Sequence, residues 1–317
     1  MIYLFPKLSK YDLFFVRLIG GGLGNLLFPW ARAVCIGKKF DLPLIYPAWP
    51  QIKVGPYLRR EKDKRHYIRL FKPTADYIHG MTKFQLLIRL PRIQEANFIS
   101  NPGYFLSQRK DQIVTISGVP DFFLNRLGDE IDTASKAPDL FGSIATDYRL
   151  IKHNLLSIVR PEHLPKLNGR SFFAAHIRLG DFKIGQQTTP LDFFDNCLSQ
   201  IKRKFPHIEI MIFTDGTKRE VAPLLEKHQA SLADFGSSLA DLLAMSSAKL
   251  LVASKNSTFS WWASCLGRMP VIWPKDTTNA PIYSDKLGQE VFIENSGAIS
   301  DKFLCRLHET TDENRLD

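Results

Sequence analysis

Phe172-Phe173-Ala174-Ala175-His176-Ile177-Arg178-Leu179-Gly180-Asp181-Phe182 decides how the rest of the chain is read. Its first six residues are an apolar run of strand length, and an imidazole, a guanidinium and a carboxylate gather where the run ends. Downstream, Thr188-Thr189-Pro190 opens a helix. Proline is tolerated in a first turn, and Leu191, Phe194, Leu198 and Ile201 are spaced as one buried face. Further strands are expected over 208–213, 249–253 and 270–273, and further helices over 218–228, 239–246 and 257–266, the last closed by Gly267. Strands that alternate with helices imply a parallel sheet covered on both faces, so the fold class is α/β.

Towards the N-terminus, the run over 13–19 (LFFVRLI) reads as a buried strand that Gly20-Gly21-Gly22-Leu23-Gly24 breaks into a loop. A helix is expected next, with Asn25 as cap, Ala31, Val34 and Cys35 as apolar spacing and Gly37 near its end, then a strand over 42–46. The charged stretch over 59–69 (RREKDKRHYIR) reads as a solvated loop or helix face, with contact to an acceptor or membrane as the alternative, and between 81 and 170 there are plausible strands such as 112–117 without a legible organisation. With 317 residues, two α/β domains are expected, 1–165 and 166–317, dividing near 164–169.

A net charge of +10 favours anionic partners: nucleic acid, an anionic membrane surface or phosphate-bearing small molecules. A nucleic-acid binder needs a contiguous basic face with aromatics or a reader motif, and no such motif is present. Cys35, Cys197, Cys265 and Cys305 are scattered without a CxxC pair, which suits reduced thiols and the cytoplasm. Lys7, Lys10, Asp12 and Arg17 interrupt the N-terminal apolar residues, so neither a membrane span nor a signal peptide is expected.

Three places look chemical, and each falls at a strand end, where open α/β sheets bind ligands. The loop around Gly22, Gly24 and Asn25 lets a ligand approach the backbone; it matches neither GxGxxG nor a P-loop, and tight packing alone would also explain it. In His176-Ile177-Arg178-Leu179-Gly180-Asp181, Arg178 suits a diphosphate and charge growing on a leaving group, unless it only pairs with Asp181. In Ser254-Lys255-Asn256-Ser257-Thr258-Phe259-Ser260-Trp261-Trp262, a helix start offers hydroxyls and N–H groups to an anion, or plain capping; the tryptophans read as packing. Asp215, in Phe213-Thr214-Asp215-Gly216, ends another strand and suits ribose hydroxyls or a base edge, or only a turn.

Together these motifs resemble the α-1,2-fucosyltransferase family and its wider fucosyltransferase relatives, in which a GGLGNQ(L/M)FQYA loop, an HxRRGDY strand end and an SxSFSWW helix start recur in this order. Here they read GGLGNLLFPWARA, HIRLGDF and SKNSTFSWWAS, with FTDG similar to the family's acidic strand end and a faint likeness at GVPDFF (118–123). The likeness covers 172–275 and roughly 17–46. Leu26 stands where the family has Gln, and Leu179 where it has a second Arg.

The resemblance implies a GT-B-like protein, two Rossmann-like domains facing a central cleft that closes on the donor, the C-terminal one binding nucleotide sugar. It implies transfer of fucose from GDP-fucose to a glycan hydroxyl, α-1,2 to galactose, with inversion. It also implies that no metal or other cofactor is needed, and Glu61-Lys62-Asp63 and Glu130-Ile131-Asp132 are not strict DxD motifs. Arg178, His176 and Asp181 become the catalytic candidates, with His176 or Asp181 as base. Gly22, Gly24, Asn25, Asp215, Ser257, Thr258, Phe259 and Ser260 become donor-binding candidates. The expected partners are a GDP-sugar donor and a glycan acceptor, with no nucleic acid. A surface polysaccharide or lipid-linked acceptor would suit a cytoplasmic enzyme held peripherally at an anionic inner membrane. Another nucleotide-sugar donor on the same scaffold is the alternative.

Overall fold

The computed structural model describes residues 1–18, 20–58, 64–118, 141–142, 144–183, 187–278, 281–283 and 288–312. Residues 59–63 of the charged stretch, 119–123 of GVPDFF and Glu130-Ile131-Asp132 lie outside the described residues. The chain divides into two compact units, with the division between Glu162 and His163.

The N-terminal unit contains β1 (Ile2–Lys7), β2 (Tyr11–Asp12), β3 (Arg17–Leu18), α1 (Leu23–Phe40), β4 (Leu44–Ile45), β5 (Gln51–Ile52) and α2 (Gly55–Leu58). It continues with β6 (Tyr77–Ile78), α3 (Gly80–Arg89), β7 (Arg92–Gln94), α4 (Glu95–Ser100), α5 (Pro102–Ser107), β8 (Gln112–Ser117) and α6 (Tyr148–Ile158). Its main sheet is parallel, in the order β6-β4-β1-β8-β7. Alternate residues of the central strand serve opposite faces: Ile2 and Leu4 pack with Ala33, Ile36 and Phe98, while Phe5 packs with Ile45 and Leu87. Burial on both faces is what a parallel sheet between helices requires.

The expected strand over 13–19 is corrected here: β1 is the strand, and Ile19 lies outside the described residues. Tyr11 to Leu18 instead form a hairpin, its turn carrying Phe14 at φ 69°, that pairs with β5 in a small sheet of order β2-β3-β5. Register gives that sheet one row of Asp12, Arg17 and Gln51 and another of Tyr11, Leu18 and Ile52. Arg17 and Gln51 are fully buried, whereas Tyr11, Leu18 and Ile52 are 38–55% exposed. Polar residues face inward and apolar residues outward, the reverse of an ordinary half-buried sheet.

One detail of α1 is also corrected. Gly22, not Asn25, is the N-cap, so Gly24 and Asn25 lie in the first turn. Gly37 lies near the end of α1, as expected, three residues before Phe40, and its carbonyl accepts the N–H of the left-handed Asp41.

The C-terminal unit contains β9 (Phe172–Ile177), α7 (Leu191–Lys204), β10 (Glu209–Thr214), α8 (Lys218–His228), β11 (Ser231–Leu232), α9 (Ser238–Met245) and β12 (Leu250–Val252). It ends with α10 (Thr258–Gly267), β13 (Val271–Pro274), β14 (Glu290–Ile293) and α11 (Asp301–Asp312). Six parallel strands run in the order β11-β10-β9-β12-β13-β14. Phe173, Ala175 and Ile177 turn one face of β9 to Phe194, Leu198 and Ile201 of α7 and Phe303 of α11, while His176 meets Ser260 of α10 on the other. Trp261 and Trp262 are fully buried, and Trp261 stacks on Trp273 with ring centroids 4.1 Å apart.

Candidate active site

The carboxyl ends of β9, β10 and β12 converge on a short loop, Arg178-Leu179-Gly180. Ser254, just after β12, donates its hydroxyl to the His176 carbonyl (2.7 Å) and accepts the Arg178 N–H (2.8 Å). On the other flank, Thr214 donates to the Ile177 carbonyl (2.7 Å) and accepts the Gly216 N–H (3.0 Å). Two hydroxyls thus fix the end of β9 to both neighbouring strands.

Asp215 completes the frame. Its Oδ1 accepts the N–H groups of Leu179 (2.8 Å) and Gly180 (3.1 Å), and its Oδ2 lies 2.6 Å from Nη1 of Arg178. That last contact is an ion pair without an aligned hydrogen bond. Among the described side chains, Asp215 is an ion-pair partner of Arg178. A Cβ on Gly180 would come within 2.2 Å of Asp215 Oδ2, so glycine here is what lets the carboxylate close onto the loop. The guanidinium also lies 5.3 Å from the Phe182 ring centroid, a cation–π distance. Both charged side chains are about one-fifth exposed, at 19% and 21%.

His176 is buried, with Nδ1 hydrogen-bonded to Ser260 Oγ at 2.6 Å and its ring 5.3 Å from that of Phe259. Burial first, and the Arg178 charge second, push its pKa down to about 3, so the imidazole is neutral. Ser257 caps α10, accepting the Ser260 N–H at a long 3.5 Å. Ser257 and Ser260 are buried and committed inside the fold, whereas Thr258 and Phe259 are half-buried. Their N–H groups belong to the first turn, which has no acceptors within its own helix. Asp181 opens the short turn after Gly180; its side chain lies outside the described residues.

Thus Arg178, His176, Asp215 and residues 257–260 share one strand-end region of the C-terminal unit, whereas Gly22, Gly24 and Asn25 belong to the N-terminal unit. There Gly20 has φ +147°, and a Cβ on it would meet Nη1 of Arg17 at 2.9 Å. Lys53 donates to the Gly20 carbonyl (2.6 Å), and Asn25 Cβ lies against Gly21. Pro29 has no N–H, so α1 leaves the Asn25 carbonyl without its usual i→i−4 partner. The loop borders a pocket of about 230 Å³ whose walls include Ser9, Lys10, Tyr11, Leu18 and Asn25.

The sequence placed Ser254 and Thr214 inside chemical motifs without their strand-tying role, and it did not point to Arg17 or Gln51. Hydroxyls beside strand ends were the available signal for the first two. Leu26 and Leu179, where the chain departs from the fucosyltransferase pattern, are both core side chains: Leu26 is buried and Leu179 packs with Ile177 and Phe193. Among the described residues no group of three or more His, Cys, Asp or Glu side chains is placed to hold a metal ion.

No family model and no curated protein matches the chain. Among solved structures it is similar to a point mutant of Arabidopsis thaliana FUT1 in complex with GDP: TM-score 0.50, 14% identity, 87% of this chain and 72% of that one. NodZ α-1,6-fucosyltransferase soaked with GDP-fucose gives a TM-score of 0.44 at 14% identity over 88% and 97% of the two chains. E. coli heptosyltransferase WaaC with ADP-2-deoxy-2-fluoro heptose gives 0.43 at 12% over 99% and 100%. The fold is α/β of the GT-B type, with two units that each carry a parallel sheet.

Proposed function

We propose that the chain is a glycosyltransferase that moves fucose from GDP-fucose to a hydroxyl of an acceptor glycan, α-1,2 to galactose, with inversion and without a metal. The observation that carries this reading is Arg178 held by Asp215 at a parallel strand end, in the same strand-end region as the first turn of α10. As the bond from the sugar C1 to the diphosphate breaks and the bond from C1 to the acceptor oxygen forms, negative charge grows on GDP. Arg178 and the N–H groups of Thr258 and Phe259 stabilise that charge, which is the work a divalent cation does elsewhere.

Asp215 then acts as a positioning residue, orienting the guanidinium and the loop. His176, neutral, buried and bonded to Ser260, also positions, which leaves Asp181 to take the proton of the acceptor hydroxyl. Gly22, Gly24 and Asn25 contribute backbone and amide contacts to the donor. A second reading keeps the scaffold and changes the donor, and the apolar, buried Leu179 favours it, because the second Arg of the fucosyltransferase pattern is missing.

The test is release of GDP or UDP from GDP-fucose, GDP-mannose and UDP-galactose in EDTA, with an acceptor panel that includes terminal galactosides. Turnover of GDP-fucose alone is expected, and Arg178→Ala should lower kcat/KM by about 100 to 1000-fold. A near-wild-type rate for Arg178→Ala removes its role, and selective use of another donor overturns the fucose assignment.

A further inference from the structure

The small sheet β2-β3-β5 is inside out, and its outward face is not alone. Close in sequence to the Tyr11, Leu18 and Ile52 row, Leu13 of the hairpin turn is exposed, as are Val54, Tyr57 and Leu58 in the segment after β5, the last at 79%. A soluble protein exposes single apolar residues everywhere, but Tyr11, Leu18 and Ile52 are cross-strand neighbours on one sheet face, and such a row marks an interaction surface. The inward row explains why the sheet cannot simply turn over. Arg17 donates to the carbonyls of Ala48 (2.7 Å) and Trp49 (3.0 Å), and a one-residue slip would expose Arg17 and Gln51 while burying the apolar row where those carbonyls need donors.

We infer that this face docks on an anionic lipid bilayer. Its rim is basic: the ammonium of Lys10 lies 5.7 Å from the Tyr11 ring centroid and that of Lys64 5.3 Å from the Tyr57 ring. Aromatic and aliphatic side chains inside a lysine rim match a headgroup boundary, where apolar groups enter and ammonium groups meet phosphates. A second copy of the chain is a poor occupant, since an isologous contact sets each basic rim against itself in a chain of net charge +10. Among the described residues no helix is long and apolar enough to cross a membrane, and this face offers attachment without one. Tyr11 and Leu18 also wall the pocket beside the glycine loop, so docking places that pocket at the lipid surface. The inference is independent of which sugar the enzyme transfers.

The test is co-sedimentation of the full-length protein with vesicles of phosphatidylcholine, with and without phosphatidylglycerol, beside light scattering in solution. Wild type should pellet with the anionic vesicles and be released by salt. The exposed-site double variant Ile52→Asp/Leu58→Asp should lose binding by about tenfold or more, and Lys10→Glu/Lys64→Glu by several-fold. Unchanged thermal melts will show that both variants are folded, and Leu58→Asp alone replaces the first if it is not. Failure of wild type to bind anionic vesicles overturns the inference, as does undiminished binding by the folded variants. A solution dimer that Ile52→Asp/Leu58→Asp converts to monomer would assign the face to a second copy instead.

Discussion

Asp215 neutralises Arg178 with one oxygen and fastens two loop N–H groups with the other, so the geometry at the strand end depends on a carboxylate fitting against a glycine. Gly180→Ala puts a methyl group where Asp215 Oδ2 now sits. It should cost about 1–3 kcal/mol in denaturant unfolding and cut turnover as well, because Arg178 loses its orientation. A stable, fully active Gly180→Ala variant contradicts that packing. His176 gives a prediction in pH. With its folded pKa lowered from 6.5 to about 3, the unfolded chain binds a proton in that window and the folded chain does not. Its contribution to stability is therefore complete above about pH 6.5 and lost as the pH falls towards about 3. Thermal melts should show His176→Gln losing less stability than wild type between about pH 7 and about pH 5; an equal loss assigns the acid sensitivity to other groups.

The helix α10 joins the site to the core: its first turn faces Arg178's loop through Ser260 and His176, and Trp261 and Trp262 anchor the next turn. Ser257→Ala should cost about 0.5–1 kcal/mol, the low end for a cap, because the bond to the Ser260 N–H is long, and it should slow turnover less than Arg178→Ala. A cost of several kcal/mol in chemical denaturation would mean that Ser257 supports more than the cap. Elements of this kind were legible in the sequence. Residues 172–177 and 218–228 form the expected strand and helix, and residues 191–201 carry the expected apolar stripe, because local period and burial agree there. The N-terminal run was not legible. LFFVRLI has the composition of a buried strand, but Leu13 and Phe15 are exposed; the actual central strand, IYLFPK, carries a proline and a lysine that argue against the centre of a sheet. Nothing local records an apolar face directed outward. The strand-tying role of Ser254 and Thr214 stayed hidden for a related reason, since hydroxyls that tie strands together are defined by neighbours 76 and 37 residues away.

Over the whole molecule, two units with parallel sheets divide the candidate residues: Arg178, Asp215, His176 and the start of α10 in one, and the glycine loop with its pocket in the other. The motifs were readable because each falls at a strand end, while the strand order within each unit was not. We propose that the C-terminal strand-end site binds a nucleoside diphosphate through Arg178 without a metal. Calorimetric titration of GDP into the full chain in EDTA tests it most directly, with Arg178→Ala in parallel. Saturable binding to wild type that the folded variant weakens by about tenfold or more agrees with a charge-assisted contact to the diphosphate. Absence of GDP binding by the folded wild type, or equal affinity of the two proteins, contradicts it.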